Sequence, residues 1–169
     1  RIKILMNKIS PNYYQEHSPS KERLHDLRRL VERQGRTIPD DFDIDDIHWV
    51  TDRVGITDFE GCSESVVRNY FTINVAGELN SSAQIQADID PGSGTVKKDL
   101  TTLAVLINKV LTDDDDTKVV VHCAMGMERS PLTVVWYLHK HHDKTIDEAY
   151  DMVQSARAVV VDRREWIDL

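Results

Sequence analysis

The chain has 169 residues, 40% hydrophobic and 30% charged, the size and make-up of one soluble globular domain. With 29 acidic residues against 21 basic ones the formal charge is -8, which excludes nucleic acid or an anionic membrane as the main partner. No apolar run could span a bilayer, no charged-then-apolar leader is evident, and two cysteines make no disulfide scaffold, so a cytoplasmic domain is expected.

Ile2 to Leu5 reads as a short edge strand. Pro11 to Ser20 is turn-rich, and Ser18-Pro19 opens a helix through Leu24, Leu27, Leu30 and Val31 that Gly35 stops. The acidic connector Asp40 to Asp46 leads into a strand at Ile47 to Val50, with a loop after it through Gly55 and Gly61. Ser63 to Asn69 suits a short helix, and Tyr70 to Val75 a β-branched and aromatic strand. Ile85, Ala87 and Ile89 alternate at period two before Asp90-Pro91-Gly92-Ser93-Gly94 breaks the chain into a loop.

From Val96, the positions Leu100, Leu103, Ala104, Ile107 and Leu111 follow helical spacing, which Asp113 to Asp116 ends. Val119 to Val121 is an unbroken apolar strand of the kind buried in a parallel sheet. A helix begins near Ser130-Pro131, where a proline's missing donor costs nothing. Thr145 and Glu148 make a capping box for a last helix with Ile146, Ala149, Tyr150 and Val153 on one face. Strands alternating with helices predict an α/β fold: a single domain whose central, mainly parallel sheet of about four or five strands is flanked by helices.

The chemistry concentrates in His122-Cys123-Ala124-Met125-Gly126-Met127-Glu128-Arg129-Ser130-Pro131. A buried strand delivers one cysteine to a tight loop, and a helix begins as the loop ends. Backbone N–H groups in such a turn form an anion nest, reinforced by the positive end of the helix. Gly126 permits a backbone angle that a side chain resists, and Arg129 adds a planar fork suited to two oxygens of one phosphate. The same field lowers the pKa of Cys123, and a thiolate beside a bound phosphate is a nucleophile aimed at phosphorus.

His122-Cys123, five residues and then Arg129-Ser130, with Gly126 between, resembles the signature of the cysteine-based protein tyrosine phosphatases, and the small size resembles their dual-specificity branch. The likeness extends from about Ile47 to Trp166, with Ala156-Arg157-Ala158-Val159-Val160 similar to the family's segment after its last long helix. It implies a catalytic domain at 47–169 behind an N-terminal extension at 1–46 with one helix, whose packing the sequence leaves undetermined.

The resemblance also implies roles. Cys123 attacks phosphorus to form a phosphocysteine. The N–H groups of Ala124, Met125, Gly126, Met127, Glu128 and Arg129, with the Arg129 side chain, bind the phosphate. Ser130 donates its hydroxyl to the departing thiolate, and His122 helps to fix the cysteine. An aspartate on the loop upstream protonates the leaving oxygen: Asp90, 33 residues before Cys123, is preferred, and Asp88 is the alternative. Asp before Pro-Gly is also ordinary turn chemistry.

No metal and no cofactor are expected. His139, His141 and His142 read as a solvated helix end. Asp41 to Asp46 alternates acids as a calcium loop does, but lacks glycine at the sixth position and runs into a strand. Trp136 and Tyr137 read as core, and Cys62 as packing.

Glu128 beside the pocket and the chain's charge weigh against a polyanionic substrate. The expected function is therefore a phosphatase acting on phosphoproteins, at phosphotyrosine and at phosphoserine or phosphothreonine. The alternatives are the same chemistry on a phosphoinositide or RNA 5′ end, or a phosphoprotein-binding module without turnover. The oligomeric state stays open.

Overall fold

The computed structural model describes residues 3–4 and 24–167. The turn-rich stretch at 11–20 and the helix start expected at Ser18-Pro19 lie outside the described residues. The strands are β1 (Lys3–Ile4), β2 (His48–Trp49), β3 (Val54–Thr57), β4 (Phe71–Asn74), β5 (Ile85–Gln86) and β6 (Val119–His122). The helices are α1 (Leu24–Arg33), α2 (Cys62–Val67), α3 (Val96–Asp113), α4 (Arg129–His141) and α5 (Ile146–Ala156), followed by a 3-10 turn at Arg164–Ile167.

One sheet runs in the order β1-β5-β4-β6-β3-β2. Its four inner strands are mutually parallel, while β1 and β2 join the two edges antiparallel. The mainly parallel α/β fold expected above is present, with six strands in place of four or five and the expected edge strand at the N-terminal pair. β6 lies at the centre and every residue in it is buried, which is why its valines show no polar alternation.

β3 is the strand that the sequence reading placed in a loop. All four of its residues are buried, but Gly55 interrupts the run and masks it. A Cβ on Gly55 would sit 2.8 Å from Ile47 and 3.0 Å from Trp49, so the glycine lets those two side chains fold across the strand.

α4 packs between α3 and α5 and covers β6 and β3, while α2 rests on β4. Leu100, Leu103, Ala104 and Ile107 bury the predicted face of α3, and Trp136 and Tyr137 are core as expected. Full burial of each such aliphatic side chain is worth about 1.5–3 kcal/mol. The Thr145–Glu148 capping box forms in both directions. His139 and His142 bond Lys144 O and the Tyr137 hydroxyl at the helix end.

The segment from α1 to Asp46 packs against the rest of the domain. Leu27 and Ile44 bury Met127 with Val161, and Val31 and Ile38 pack on Val159. Arg36 donates to the Ala158 and Val160 carbonyls. Gly35, at φ +76, stops α1 where the sequence placed the stop. No helix among the described residues is long and apolar enough to cross a membrane.

Candidate active site

The end of β6 passes through His122 into a loop from Cys123, and α4 begins at Arg129. This places the loop outside the carboxyl end of the central parallel strand, the place where open α/β sheets take ligands.

The direction of the loop's peptide groups follows from where its carbonyls go. Ala124 O accepts from Phe59 N–H at 3.0 Å, and Met127 O from Val161 N–H at 2.9 Å. Met125 O and Gly126 O both accept from the Arg157 guanidinium at 2.8 Å. Four successive carbonyls are thus held from outside. A trans peptide turns its N–H away from its C=O, so the N–H groups of Met125 to Glu128 face the hollow of the loop. Gly126 sits at φ +64, and a Cβ there would lie 2.7 Å from both Thr57 O and Arg157 Nη2. Glycine is required twice over, by angle and by space.

Cys123 is 3% exposed, its Sγ 3.2 Å from the Ser130 hydroxyl. Burial alone would push its thiol up. The Arg129 charge, the Ser130 hydroxyl and the N–H groups of Ser130 and Gly126 outweigh burial and bring the thiol below its ordinary range. His122 is fully buried, with Nδ1 at 2.9 Å from Cys123 O and Nε2 at 2.9 Å from the Ser81 hydroxyl. Such a hollow can hold a tetrahedral oxyanion against a sulfur nucleophile.

The family model for the dual specificity phosphatase catalytic domain matches residues 51–168. The chain belongs to the dual specificity phosphatase family.

Solved structures share this phosphatase fold at low identity. A mouse protein described as a dual specificity phosphatase, complexed with zinc tungstate, superposes with a TM-score of 0.63 at 20% identity, covering 77% of this chain and 86% of that one. Human DUSP28 gives 0.61 at 15%, covering 72% and 87%. A human tyrosine phosphatase-like serine/threonine/tyrosine-interacting protein gives 0.60 at 14%, covering 72% and 90%.

In this dual specificity phosphatase domain, three residues whose roles no local pattern revealed surround the loop. Glu78 forks onto Arg129 through both terminal nitrogens, each contact at 2.7 Å, and the guanidinium holds the Glu78 carboxyl below the usual range. Arg157, fully buried, spends Nε on Gly126 O, Nη1 on Asp46 O and His48 Nδ1, and Nη2 on Ile44 O and Met125 O. Arg163 pairs with Glu128 at 2.6 Å. Glu78 is 51 residues from its partner and Arg163 is 35, separations that no helical or strand period reports. The Arg163 pairing also changes the reading of Glu128, whose charge is matched and is no isolated negative beside the pocket.

The two candidate acids of the phosphatase loop are both partly exposed, on the segment after β5. Asp90 Oδ1 accepts the Gly92 N–H at 2.9 Å, the turn chemistry anticipated for Asp before Pro-Gly. Asp88 lies against Gly77, where a Cβ would meet its Cγ at 2.4 Å, one residue from Glu78. Cys62 is buried 3.7 Å from the Ser82 hydroxyl.

Proposed function

We propose that this domain hydrolyses phosphomonoesters on proteins, at phosphotyrosine and at phosphoserine or phosphothreonine, through a phosphocysteine intermediate. The observation that carries this reading is a buried, acidified Cys123 sulfur at the base of a loop whose carbonyls are all turned outward. An interacting module without turnover has no need of a thiolate held ready there.

In the first step Cys123 Sγ forms a bond to phosphorus as the ester P–O bond breaks. The leaving oxygen takes a proton from an aspartate. Water then attacks the phosphocysteine as it gives a proton to the same aspartate, the S–P bond breaks, and the Ser130 hydroxyl hydrogen-bonds the returning thiolate. The inward N–H groups and Arg129 hold the equatorial oxygens throughout.

Glu78 grips Arg129 by its two terminal nitrogens, which directs the Nε edge of the guanidinium to the phosphate. Glu78→Gln is expected to lower kcat/KM about tenfold, the size of one weakened hydrogen bond, with little loss of melting temperature. Stability changes little because a partly exposed pair adds only about 0–1 kcal/mol. Steady-state kinetics beside a thermal melt checks both halves.

Asp90 supplies the proton by its spacing from Cys123, and Asp88, packed beside the Glu78 loop, is the second candidate. Asn replacement of the true acid should cut turnover of alkyl phosphates by about 10²–10⁴-fold and of aryl esters with good leaving groups far less. The other Asn variant should stay near wild type, and the reverse pattern moves the role to Asp88.

The deciding experiment is phosphate release from phosphotyrosine, phosphoserine and phosphothreonine peptides and from a phosphoinositide, with Cys123→Ser as blank. Peptide turnover that vanishes in the blank is expected. Turnover of the lipid alone moves the substrate outside proteins, and silence on all four leaves a binding module.

A further inference from the structure

The carboxyl ends of three neighbouring strands carry a polar row beneath the Cys123 loop. Asn74 of β4 stands in register with Gln86 of β5 on one side and with His122 of β6 on the other. Asn74 and His122 are buried, as is Ser81 from the loop between β4 and β5, and Gln86 is partly buried. Buried polar groups cost free energy unless they are hydrogen-bonded, and this row is bonded from end to end.

Carbonyl groups fix its directions, because they only accept. Asn74 Nδ2 donates to Ala76 O at 3.2 Å, to Leu79 O at 3.1 Å and to Gln86 Oε1 at 2.7 Å. Gln86 Nε2 in turn donates to Ser81 O and Ala83 O, each at 3.1 Å, and to the Ser81 hydroxyl oxygen at 3.2 Å. Ala83 N–H reaches the same oxygen at 3.3 Å. The Ser81 hydroxyl is thus held in place where it meets His122 Nε2 at 2.9 Å. On the other side of the ring, Nδ1 faces Cys123 O at 2.9 Å and must carry the hydrogen of that bond.

We propose that Ser81 is a positioning residue: through the His122 ring it sets the Cys123 carbonyl, and so turns the Ala124 N–H toward the bound phosphate. A trans peptide holds its C=O and N–H on opposite sides, so fixing Cys123 O fixes Ala124 N–H. That group then joins the inward N–H groups of Met125 to Glu128. An imidazole bonded at one nitrogen only is free to exchange tautomers, and Ser81 on Nε2 opposes this. Burial disfavours a charged ring, but the sulfurs of Cys62 on α2 and of Cys123, its titratable neighbours, raise its pKa overall. A hydroxyl suits both forms, giving its hydrogen to a bare Nε2 or accepting one from a protonated Nε2.

The loop between β4 and β5 thus grips the cysteine loop at both ends. Ser81 holds His122 before it, and Glu78 holds Arg129 after it. Ser81 lies 41 residues from His122, so no local pattern announces the pairing.

The inference rests on Cys123 as the nucleophile, and its test needs no turnover. Tungstate binding by calorimetry and the pH midpoint of Cys123 alkylation, located by peptide mapping, are compared in the wild type, Ser81→Ala and Ser65→Ala. Ser65→Ala removes another buried hydroxyl, one that bonds Thr72 at 2.6 Å, and serves as the control. Arg129 and Arg157, the cations that act on Cys123, are unchanged in every variant. Ser81→Ala is expected to bind tungstate about tenfold more weakly, the size of one weakened hydrogen bond, and to move the midpoint toward the free-thiol range. Ser65→Ala should match the wild type in both.

Affinity and midpoint unchanged in Ser81→Ala overturn the proposal, as does an equal shift in Ser65→Ala. Where Ser81→Ala does not fold, nitrogen NMR of the labelled His122 ring in the wild type decides: hydrogen on Nδ1 is expected, and hydrogen on Nε2 alone overturns the proposal. A wild type that binds tungstate but releases no phosphate overturns the proposed function instead, and leaves the role of Ser81 to these same measurements.

Discussion

Replacing Cys123 by serine is expected to reduce turnover to the level of a no-enzyme control while phosphate still binds. A serine hydroxyl fits the same space beside Ser130, so the loop geometry persists, but it is no nucleophile at neutral pH without a base. Binding of inorganic phosphate or vanadate should be at least as tight as in the wild type. A neutral hydroxyl replaces a negative sulfur, and the repulsion between thiolate and dianion disappears. Isothermal titration beside a phosphate-release assay separates the two effects, and full activity in the variant would end the covalent mechanism.

The same residue fixes a pH dependence. The Cys123 pKa is lowered, so the thiolate persists below the ordinary thiol range of about 8.5 and is lost only as pH falls through the shifted value. Alkylation by iodoacetamide should accordingly stay fast at neutral pH, with its midpoint on the acid side of a free thiol.

Arg157→Ala carries the largest expected loss of stability. Four carbonyls and the His48 ring would be left in the interior without their donor. Removing a buried charged group with such partners costs about 3–5 kcal/mol, a large part of an ordinary domain's stability of about 5–15 kcal/mol. His48 is neutral in this role: burial and Arg157 push it down to about 4, so its nitrogen accepts rather than repels. Arg157→Lys should fall between the two, since a single ammonium has three donors in place of five and cannot bridge both segments. Urea unfolding measures both variants, and a loss under about 1 kcal/mol for alanine would sink this account.

The cysteine loop was legible because its chemistry is local: strand, glycine, arginine and helix start are consecutive, and each has a steric or electrostatic reason to stand where it does. α3 and the α5 capping box were legible for the same reason, their signals lying within one or two turns. β3 was lost because four residues with an internal glycine resemble a loop until burial is known. Glu78 and the packing of residues 24–46 had no signal at all in one sequence, and Arg157 stood out only as part of a family-like segment, without its role. Their meaning lies in contacts between segments up to 124 residues apart, such as Arg36 with Val160 and Arg157 with Ile44.

The way Arg157 holds the loop has an evolutionary reading. Its guanidinium meets Ile44, Asp46, Met125 and Gly126 through main-chain oxygens alone. Main-chain acceptors are the same whatever side chain they carry. Residues such as Met125 can therefore be exchanged, and the rim that greets a substrate reshaped, without dismantling the cradle beneath. Scaffold and recognition are separable traits here, and new specificities can be explored from this fold at small structural risk.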